Sequence, residues 1–334
     1  MQFFSWTLHG NELARATPIR YEGPSLIIGG TPMALDKTLP AQEGGDSARG
    51  FAFALSAYLL WGFLPIYMKA VAHISPIEVI VHRVIWSVPI GAAVLIALGR
   101  TAEIRTALKT PKMLAMASLT AALISINWGI YIWAIGAGRA LDAALGYFIN
   151  PLFSIFLGAV LLKEKLYPAQ IAAIGLVGLA VAILTWHAGS LPWVSIALTV
   201  SWGFYAFFRK TLPIGATQGF LLEVMLLSVP AVLVLAWLAI SGQAHFMAGN
   251  ATDTWLLAAS GIVTAVPLIL YGNGAKLLRL STIGIMQYIA PTMIFLIAIF
   301  IFKEPFDMVR MAAFAMIWVA LAIYTASSLM RLKR

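Results

Sequence analysis

Long apolar segments follow one another along the chain, and short polar segments separate them. A helix that crosses a bilayer needs about 20 mostly apolar residues. Ten segments reach or approach that length, the shortest being 255–271, which contains Pro267. They span residues 51–69, 79–98, 113–135, 142–162, 168–186, 191–208, 219–240, 255–271, 282–302 and 309–329. The pattern predicts an all-α integral membrane protein with ten transmembrane helices.

The fourth and ninth segments share a short pattern. Residues 148–151 have the sequence Phe-Ile-Asn-Pro and lead to Lys163-Glu164. Residues 288–291 have the sequence Tyr-Ile-Ala-Pro and lead to Lys303-Glu304 at the same spacing, with an offset of 140 residues. We interpret the two Lys-Glu pairs as residues that end helices and anchor turns at a membrane surface.

Further matches occur in order at nearly the same offset. They are Arg139 with Arg279, Tyr131 with Tyr271, Trp61-Gly62-Phe63 with Trp202-Gly203-Phe204, and Ser87-Val88-Pro89 with Ser228-Val229-Pro230. Together they indicate a duplication into halves at residues 50–187 and 188–330. Because each half holds five predicted helices, an odd number, the second half would enter the membrane from the opposite side. Inverted repeats of this kind build many secondary transporters, whose substrate site lies at the repeat interface.

Composition supports a membrane protein. Hydrophobic residues make up 61% of the chain and charged residues 10%, too few charges to cover a water-soluble surface. The net charge of +9 does not indicate a nucleic-acid partner, because Lys and Arg gather in short loops, as they do on the cytoplasmic side of membranes. Loops 187–190 and 241–253 contain neither Lys nor Arg, as expected outside. We predict a multi-pass protein of the bacterial inner membrane with both termini cytoplasmic.

Several classes of chemistry lack their sequence signature. The chain has no cysteine, no phosphate-binding loop, no His-Glu-x-x-His motif and no Gly-x-Ser-x-Gly motif, and its five histidines are scattered. We therefore expect no enzymatic activity, no cofactor and no metal. One alternative is a membrane enzyme acting on a lipid-linked substrate, which needs an acid/base pair or a metal. Another is a non-transporting sensor, which needs a large soluble domain; residues 1–49 have a mixed composition and are expected to form a disordered cytoplasmic tail.

Three ionisable residues fall inside predicted helices, where such groups are functional candidates. His82 and Glu223 correspond to each other at an offset of 141 residues and should lie toward opposite faces of the membrane. They are proton-coupling candidates, since histidine titrates near neutrality; the simpler interpretation is that both reach interfacial water near helix ends. Arg83 either binds an anionic group of a substrate or extends outward to lipid headgroups.

Neutral polar and aromatic residues complete the candidate set for a substrate cavity. Asn150, Gln287 and Tyr288 precede prolines at matching positions of the two halves, and such interrupted helices indicate a binding region. As alternatives, the amides bond neighbouring helices together, and the aromatic rings form interfacial belts. The full set of cavity candidates is Trp61, His82, Arg83, Asn127, Trp128, Tyr147, Asn150, Trp202, Glu223, Gln287 and Tyr288.

Four of these motifs resemble one known family. Residues 82–87 (His-Arg-Val-Ile-Trp-Ser), Asn127-Trp128, residues 146–152 (Gly-Tyr-Phe-Ile-Asn-Pro-Leu) and residues 287–292 (Gln-Tyr-Ile-Ala-Pro-Thr) resemble the RarD proteins, which are EamA-type permeases of the drug/metabolite transporter superfamily. The resemblance covers roughly residues 48 to 330, and Ala290 stands where the family pattern has glycine. It implies ten helices, an inner-membrane location and a permease, and it leaves the substrate open.

These observations favour a secondary transporter that exports small amphipathic molecules or metabolites by alternating access. Its expected partners are the small-molecule substrate and membrane lipid. Two energy sources stay open, coupling to the proton gradient and the substrate's own gradient. The first four helices of each half should enclose the cavity. The fifth and tenth are nearly free of polar side chains and are better suited to packing or to contacts in a homodimer.

Overall fold

Each predicted apolar segment is helical in the computed structural model, which describes residues 47–99, 101–161, 166–211, 214–275, 277–278 and 280–332. The predicted tail up to residue 46 and the pair Lys163-Glu164 lie outside the described residues. The helices are α1 (Ala48–Ala70), α2 (Pro76–Ala97), α3 (Ala102–Leu108), α4 (Pro111–Gly136), α5 (Ala140–Leu161), α6 (Pro168–Ala188), α7 (Trp193–Thr211), α8 (Ala216–Ile240), α9 (Ala251–Ala275), α10 (Leu280–Met286), α11 (Ile289–Leu296) and α12 (Met308–Leu332).

Local sequence explains where several helices begin and end. Prolines 76, 111 and 168 occupy the first turn of α2, α4 and α6, where a missing N–H costs nothing. The Ser47 hydroxyl accepts the Gly50 N–H at 3.0 Å and caps α1. At the other end of α6, Gly189 takes a left-handed conformation with φ 64°, which suits a residue without a side chain.

Eight helices in the described part of the chain are long and apolar enough to cross a membrane: α1, α2, α4, α5, α6, α8, α9 and α12. Ten were predicted, and that count is not confirmed. The sixth predicted segment is α7, whose last turn contains Arg209 and Lys210 and whose hydropathy is too low. The ninth is divided into α10, α11 and a π-helical turn, Ile297–Ile301. The structure is that of an all-α membrane protein.

The repeat-matched prolines Pro151 and Pro291 have different effects on their helices. Proline lacks an N–H and crowds the carbonyl four residues earlier, so it bends or breaks a helix. The α5 helix nevertheless runs without a break past Pro151. Around Pro291 the helix is interrupted by a turn at Gln287 and Tyr288, and α11 begins at Ile289. The same residue at matching positions thus accompanies a continuous helix in one half and a divided helix in the other.

Matching helices of the two predicted halves pack against each other in opposite directions. The α2 and α8 helices are neighbours: Glu78 near the start of α2 accepts the His245 N–H just beyond α8, whereas Gly91 lies beside Leu221 near the start of α8. The α6 and α12 helices also pack together. There His187, at the end of α6, lies 3.2 Å from Asp307, which precedes α12.

Polar contacts concentrate at the end of the bundle that carries the α1–α2 connection, residues 71–75; we call it the α1–α2 end. Glu78 is fully buried there and accepts hydrogen bonds from the His245 N–H at 2.7 Å, the Phe246 N–H at 3.2 Å and the His245 ring at 2.8 Å. The His73 ring lies 2.9 Å from Asp253. These contacts join α2 to the segment between α8 and α9, and the α1–α2 connection to the first turn of α9.

Two further acidic residues, Glu304 and Asp307, accept backbone hydrogen bonds at the same end of the bundle. The Glu304 carboxylate accepts the backbone N–H groups of Ala140 at 2.6 Å and Leu141 at 2.9 Å, so it caps the N-terminus of α5 from the other predicted half. Asp307 accepts the Arg310 N–H at 2.8 Å. This backbone hydrogen bond, assisted by His187, holds the pKa of the Asp307 carboxyl below its usual value. The contact of Glu304 with the start of α5 is therefore consistent with the interpretation of Lys303-Glu304 as an anchor.

Candidate functional site

A cavity of about 670 Å³ lies between the helices of the two predicted halves. Its lining comes from α1, α2, α4, α5, α7, α8, α9, the α10–α11 break and α11, with none from the described residues of α6 or α12. This agrees with the expectation that the first four helices of each half enclose the cavity. The lining extends to Ile214 and Thr217, at the bundle end opposite the α1–α2 end.

The structure brings eight of the eleven candidate residues together around this cavity: Trp61, Arg83, Asn127, Trp128, Tyr147, Asn150, Trp202 and Gln287. His82, Glu223 and Tyr288 do not line it. Tyr288 packs instead against the large apolar core that α5, α6, α11 and α12 share. The candidate residues come from segments far apart in the chain, so the fold creates the site.

Arg83 occupies the cavity wall on α2 and does not extend to the surface, because only 4% of it is exposed. Its Nε donates to the Thr264 hydroxyl on α9 at 2.9 Å. The guanidinium lies over the Trp128 ring, 4.5 Å from the ring centroid, which is a favourable cation–π position. Its Nη1 has no hydrogen-bond partner among the residues that the structure describes.

Asn127 connects the two predicted halves beside the cavity. Its Nδ2 donates to the Leu198 carbonyl at 3.1 Å and to the Ser201 hydroxyl at 2.9 Å, both on α7. The Tyr147 hydroxyl donates to Asn127 Oδ1 at 3.4 Å. Both sequence-based interpretations of this amide therefore hold at once, since Asn127 borders the cavity and also bonds α4 to α7. The Asn150 Oδ1 on α5 finds no partner in the described structure.

Aromatic side chains form two walls of the cavity. On one side, Trp61 lies 5.5 Å from Tyr271 and 5.6 Å from Tyr58, measured between ring centroids. On the other side, Tyr147 lies 6.3 Å from Trp202 and 5.8 Å from Tyr131. Tilted and edge-to-face rings at these distances pack favourably. The rings of Trp61 and Trp202 face the cavity from matching positions, so neither serves only as an interfacial belt.

Glu223 lies behind the cavity wall, with 1% of its surface exposed. It accepts from the Thr120 hydroxyl at 2.7 Å and the Tyr205 hydroxyl at 3.3 Å, and its Oε1 lies 3.3 Å from Arg209 Nε. Arg209 itself lines the cavity. The carboxylate is therefore buried in a network and does not reach interfacial water, contrary to the simpler interpretation.

His82 is also buried, outside the cavity. The Trp86 indole N–H donates to His82 Nδ1 at 3.3 Å, and the Phe246 ring lies 4.7 Å from the His82 ring. Because α2 and α8 run in opposite directions, His82 and Glu223 lie toward opposite ends of the bundle. That arrangement agrees with the sequence-based expectation, and no contact joins the two residues among those described.

Comparison with known proteins identifies the family. The profile of the EamA-like transporter family matches residues 48–186. Protein RarD of Streptomyces exfoliatus is 37% identical over 289 residues, covering 86% of this chain and 92% of that protein. Protein RarD of Escherichia coli (strain K12) is 37% identical over 87% of this chain and 99% of its own length. A Vibrio cholerae protein named an uncharacterized transporter is 39% identical over 85% of this chain and 94% of its own length.

The chain belongs to the EamA-like transporter family. Within it, the similarity to the RarD proteins covers both predicted halves, so the resemblance seen in the sequence motifs is confirmed. This EamA-family chain is thus a membrane transporter similar to proteins that are themselves named as transporters. A crystal structure with 18% sequence identity aligns at a TM-score of 0.54, covering 82% of this chain and 96% of that one. That similarity concerns the fold alone.

Some residues of the EamA-family cavity were not among the sequence candidates. They are Tyr58, Tyr131, Tyr205, Arg209 and Tyr271. Two signals were available: Tyr131 matches Tyr271 in the repeat, and residues 202, 205 and 209 follow helical spacing on one face of α7. The position of Arg209 near the predicted end of its helix favoured a loop assignment. Within the described ranges, no three His, Asp or Glu residues form a group that could hold a metal ion.

Proposed function

We propose that this EamA-family chain is a secondary transporter, a permease that moves small amphipathic molecules or metabolites out of the cell across the inner membrane by alternating access. The observation that carries the proposal is the central cavity of about 670 Å³, whose walls come from matching positions of the two predicted halves. Trp61 pairs with Trp202, and Tyr131 pairs with Tyr271, across that repeat. A cavity at a repeat interface is the usual place for a transporter's substrate site.

The proposal includes ten membrane crossings in two inverted halves. It is supported by the opposite directions of α2 and α8 and of α6 and α12, since inverted repeats relate matching helices by an axis in the membrane plane. The α7 helix has 19 residues, and a helix of that length spans about 28 Å, close to the bilayer core. The divided ninth segment suits a crossing because broken helices are tolerated where they line a cavity.

The contrast between the bundle ends supports alternating access. At the α1–α2 end, Glu78 and Glu304 join the two halves by buried and partly buried hydrogen bonds. The cavity lining instead reaches Thr217 at the opposite end, where the Gly215 N–H lies 3.4 Å from Glu103 in an exposed contact. This contrast, combined with the predicted orientation, supports a proposed state that is closed to the outside and accessible from the cytoplasm.

Glu223 and His82 are the proposed proton-coupling residues, and the buried network of Glu223 with Arg209 supports the first assignment. Removing a proton acceptor that exchanges with solvent should abolish the effect of pH on transport. Flux through Glu223→Gln protein in liposomes should therefore lose its dependence on a pH gradient. Unchanged pH dependence would rule out coupling through Glu223 and leave His82 as the remaining proton-coupling candidate.

Topology can be tested directly because the chain contains no cysteine. Single cysteines at Gly189 and Gln243 should react with a membrane-impermeant maleimide in intact spheroplasts. A cysteine at Glu103 should react only after the membrane is permeabilised. Labelling of positions 103 and 189 from the same side would exclude the inverted arrangement.

The activity itself requires a flux measurement. Purified protein in liposomes should give saturable, selective flux for some compounds of a metabolite panel, tested with and without a pH gradient. Liposomes that contain an equal amount of heat-unfolded protein provide the control. Chemical conversion of a lipid-linked compound without flux would favour the membrane-enzyme alternative, and ligand binding with neither flux nor conversion would favour a sensor.

A further inference from the structure

The two arginines that line the cavity differ in their counter-ions. Arg209 Nε lies 3.3 Å from the Glu223 carboxylate, so that pair is close to neutral overall. Arg83 forms no ion pair with any described Asp or Glu. The nearest acid along α2, Glu78, is occupied by His245 and Phe246 at the α1–α2 end. The cavity therefore carries an excess positive charge at Arg83.

The surroundings of Arg83 leave a place for an anion. Thr264 holds Nε, and the Trp128 ring covers one face of the guanidinium. Nη1 and the Tyr131 hydroxyl, both buried, have no protein partner in the described structure. Burying a cation without a counter-ion is costly. Both residues line the cavity, and a rotation of the two side chains toward it would let each donate a hydrogen bond to a carboxylate bound there.

The rest of the cavity favours a flat apolar group. Trp61 with Tyr271 forms one aromatic wall, and Tyr147 with Trp202 forms the other. Aromatic rings pack on other rings through offset or edge contacts at low cost. The volume of about 670 Å³ lies within the range of small-molecule sites, roughly 300–1,000 Å³.

We infer that the cavity binds a small organic anion bearing a flat apolar ring, with the anionic group held by Arg83 and Tyr131 and the ring between the aromatic walls. This inference rests on the proposed function, since it names the class of compound that the transporter would carry. A neutral or cationic analogue of the same shape leaves the Arg83 guanidinium buried without a counter-ion, and an anion without a ring leaves the walls unfilled.

Calorimetric titration of the purified full-length protein in nanodiscs tests the inference with matched probes. The probes are 3-phenylpropionate, its neutral amide, 3-phenylpropylammonium and propionate. We expect 3-phenylpropionate to bind about tenfold more tightly than the amide and the ammonium compound, the difference expected from a charged hydrogen bond. It should also bind more tightly than propionate, which lacks the ring that packs between the aromatic walls. Equal or tighter binding of the amide or the ammonium compound, or no binding of 3-phenylpropionate at millimolar concentration, would overturn the inference.

Variants locate the site. Arg83→Met should reduce the preference for the anion over the amide to less than twofold, and Arg83→Lys should keep part of it. The control is Arg139→Met, because Arg139 pairs with Asp142 outside the cavity and should leave the preference unchanged. Thermal unfolding without ligand would show whether Arg83→Met folds. If it does not fold, the probe affinities of the wild-type protein and of Arg83→Lys still test the anion site. A full preference in a folded Arg83→Met protein would also overturn the assignment.

The liposome experiment separates the two proposals. Arg83-dependent binding of the anion with no flux of any compound would contradict the transporter and leave the binding site in place. Selective flux of other compounds by a protein that prefers the amide probe would contradict the anion site and leave the transporter in place.

Discussion

Asn127 shows how one buried amide serves both packing and the cavity. Its side chain bonds α4 to α7 through Leu198 and Ser201, residues more than 70 positions away in the chain. The sequence identified Asn127 as a candidate because an amide inside an apolar helix needs partners. It could not identify those partners, because the register of α4 against α7 depends on the packing of both helices.

Removing this amide should weaken the fold measurably. We expect Asn127→Ala to lower the free energy of unfolding by about 1 kcal/mol, typical of a hydrogen bond between membrane helices. Asn273→Ala is the control, because the Asn273 side chain donates to the Ile269 carbonyl of its own helix and is exposed. Thermal unfolding in detergent measures both. If Asn273→Ala lowers the free energy of unfolding as much as Asn127→Ala does, the hydrogen bonds from Asn127 to α7 add no stability beyond that of a local side-chain contact.

Arg83 illustrates the limit of prediction for single residues. The sequence placed it inside a helix and left two interpretations open, anion binding and extension to lipid headgroups. Thr264, which fixes its side chain, is 181 residues away in the chain. Only the packing of α2 against α9 shows that Arg83 points into the protein.

At the scale of helices, most boundaries follow from the sequence. The prolines that begin α2, α4 and α6 and the glycine that ends α6 are local signals. The division between α10 and α11 is less predictable. Pro291 favours a break, but Pro151 at the matching position leaves α5 intact, so the surrounding packing decides the outcome.

The α2 and α9 helices approach closely at Gly261, where an added Cβ atom would overlap the Trp86 backbone. We expect Gly261→Ala to destabilise the protein by about 2 kcal/mol, because two backbones must move apart. Gly175→Ala on α6 is the matched control, since nothing lies near its added Cβ. Their thermal unfolding temperatures should differ clearly. Equal temperatures would mean that α2 and α9 can separate at little cost.

Glu304 stabilises α5 from another part of the chain. Glu304→Ala leaves two N–H groups at the start of α5 without their acceptor and should cost about 2 kcal/mol. Asp307→Ala should cost less, because Asp307 is exposed and caps only its own helix. Glu304→Gln should recover part of the loss, since the amide oxygen still accepts one hydrogen bond. Thermal unfolding of the three variants tests this order, and a larger loss for Asp307→Ala would contradict it.

For the whole molecule, the internal repeat predicted the relative direction of matching helices, which the individual helices could not. The offset of about 140 residues led to the expectation that His82 and Glu223 lie toward opposite ends, and the opposed α2 and α8 agree with it. The sequence did not indicate at which end polar contacts would join the two predicted halves. That depends on contacts such as Glu78 with His245, residues 167 apart, and no local pattern marks them as partners.

The buried contacts of Glu78 should control access at the α1–α2 end. Without that carboxylate, the segment after α8 loses three hydrogen bonds, and we expect this end to open more often. A single cysteine replacing Leu64, which lines the cavity, should then react from outside several times faster in Glu78→Ala than in the parent protein. Glu103→Ala is the control at the opposite end. Unchanged labelling in Glu78→Ala would show that other contacts keep the end closed.

The unequal helices around Pro151 and Pro291 carry a consequence for the turnover cycle. If the two halves exchange conformations when the transporter reorients, α5 must become divided near Pro151. At the same time, α10 and α11 must join into one continuous helix. Pro151→Ala should therefore stabilise the continuous α5 helix and slow the reorientation step, so that counterflow falls although ligand still binds. The two prolines would then act as paired hinges: in each of the two conformations, one proline lies in a continuous helix and the other lies beside a divided helix.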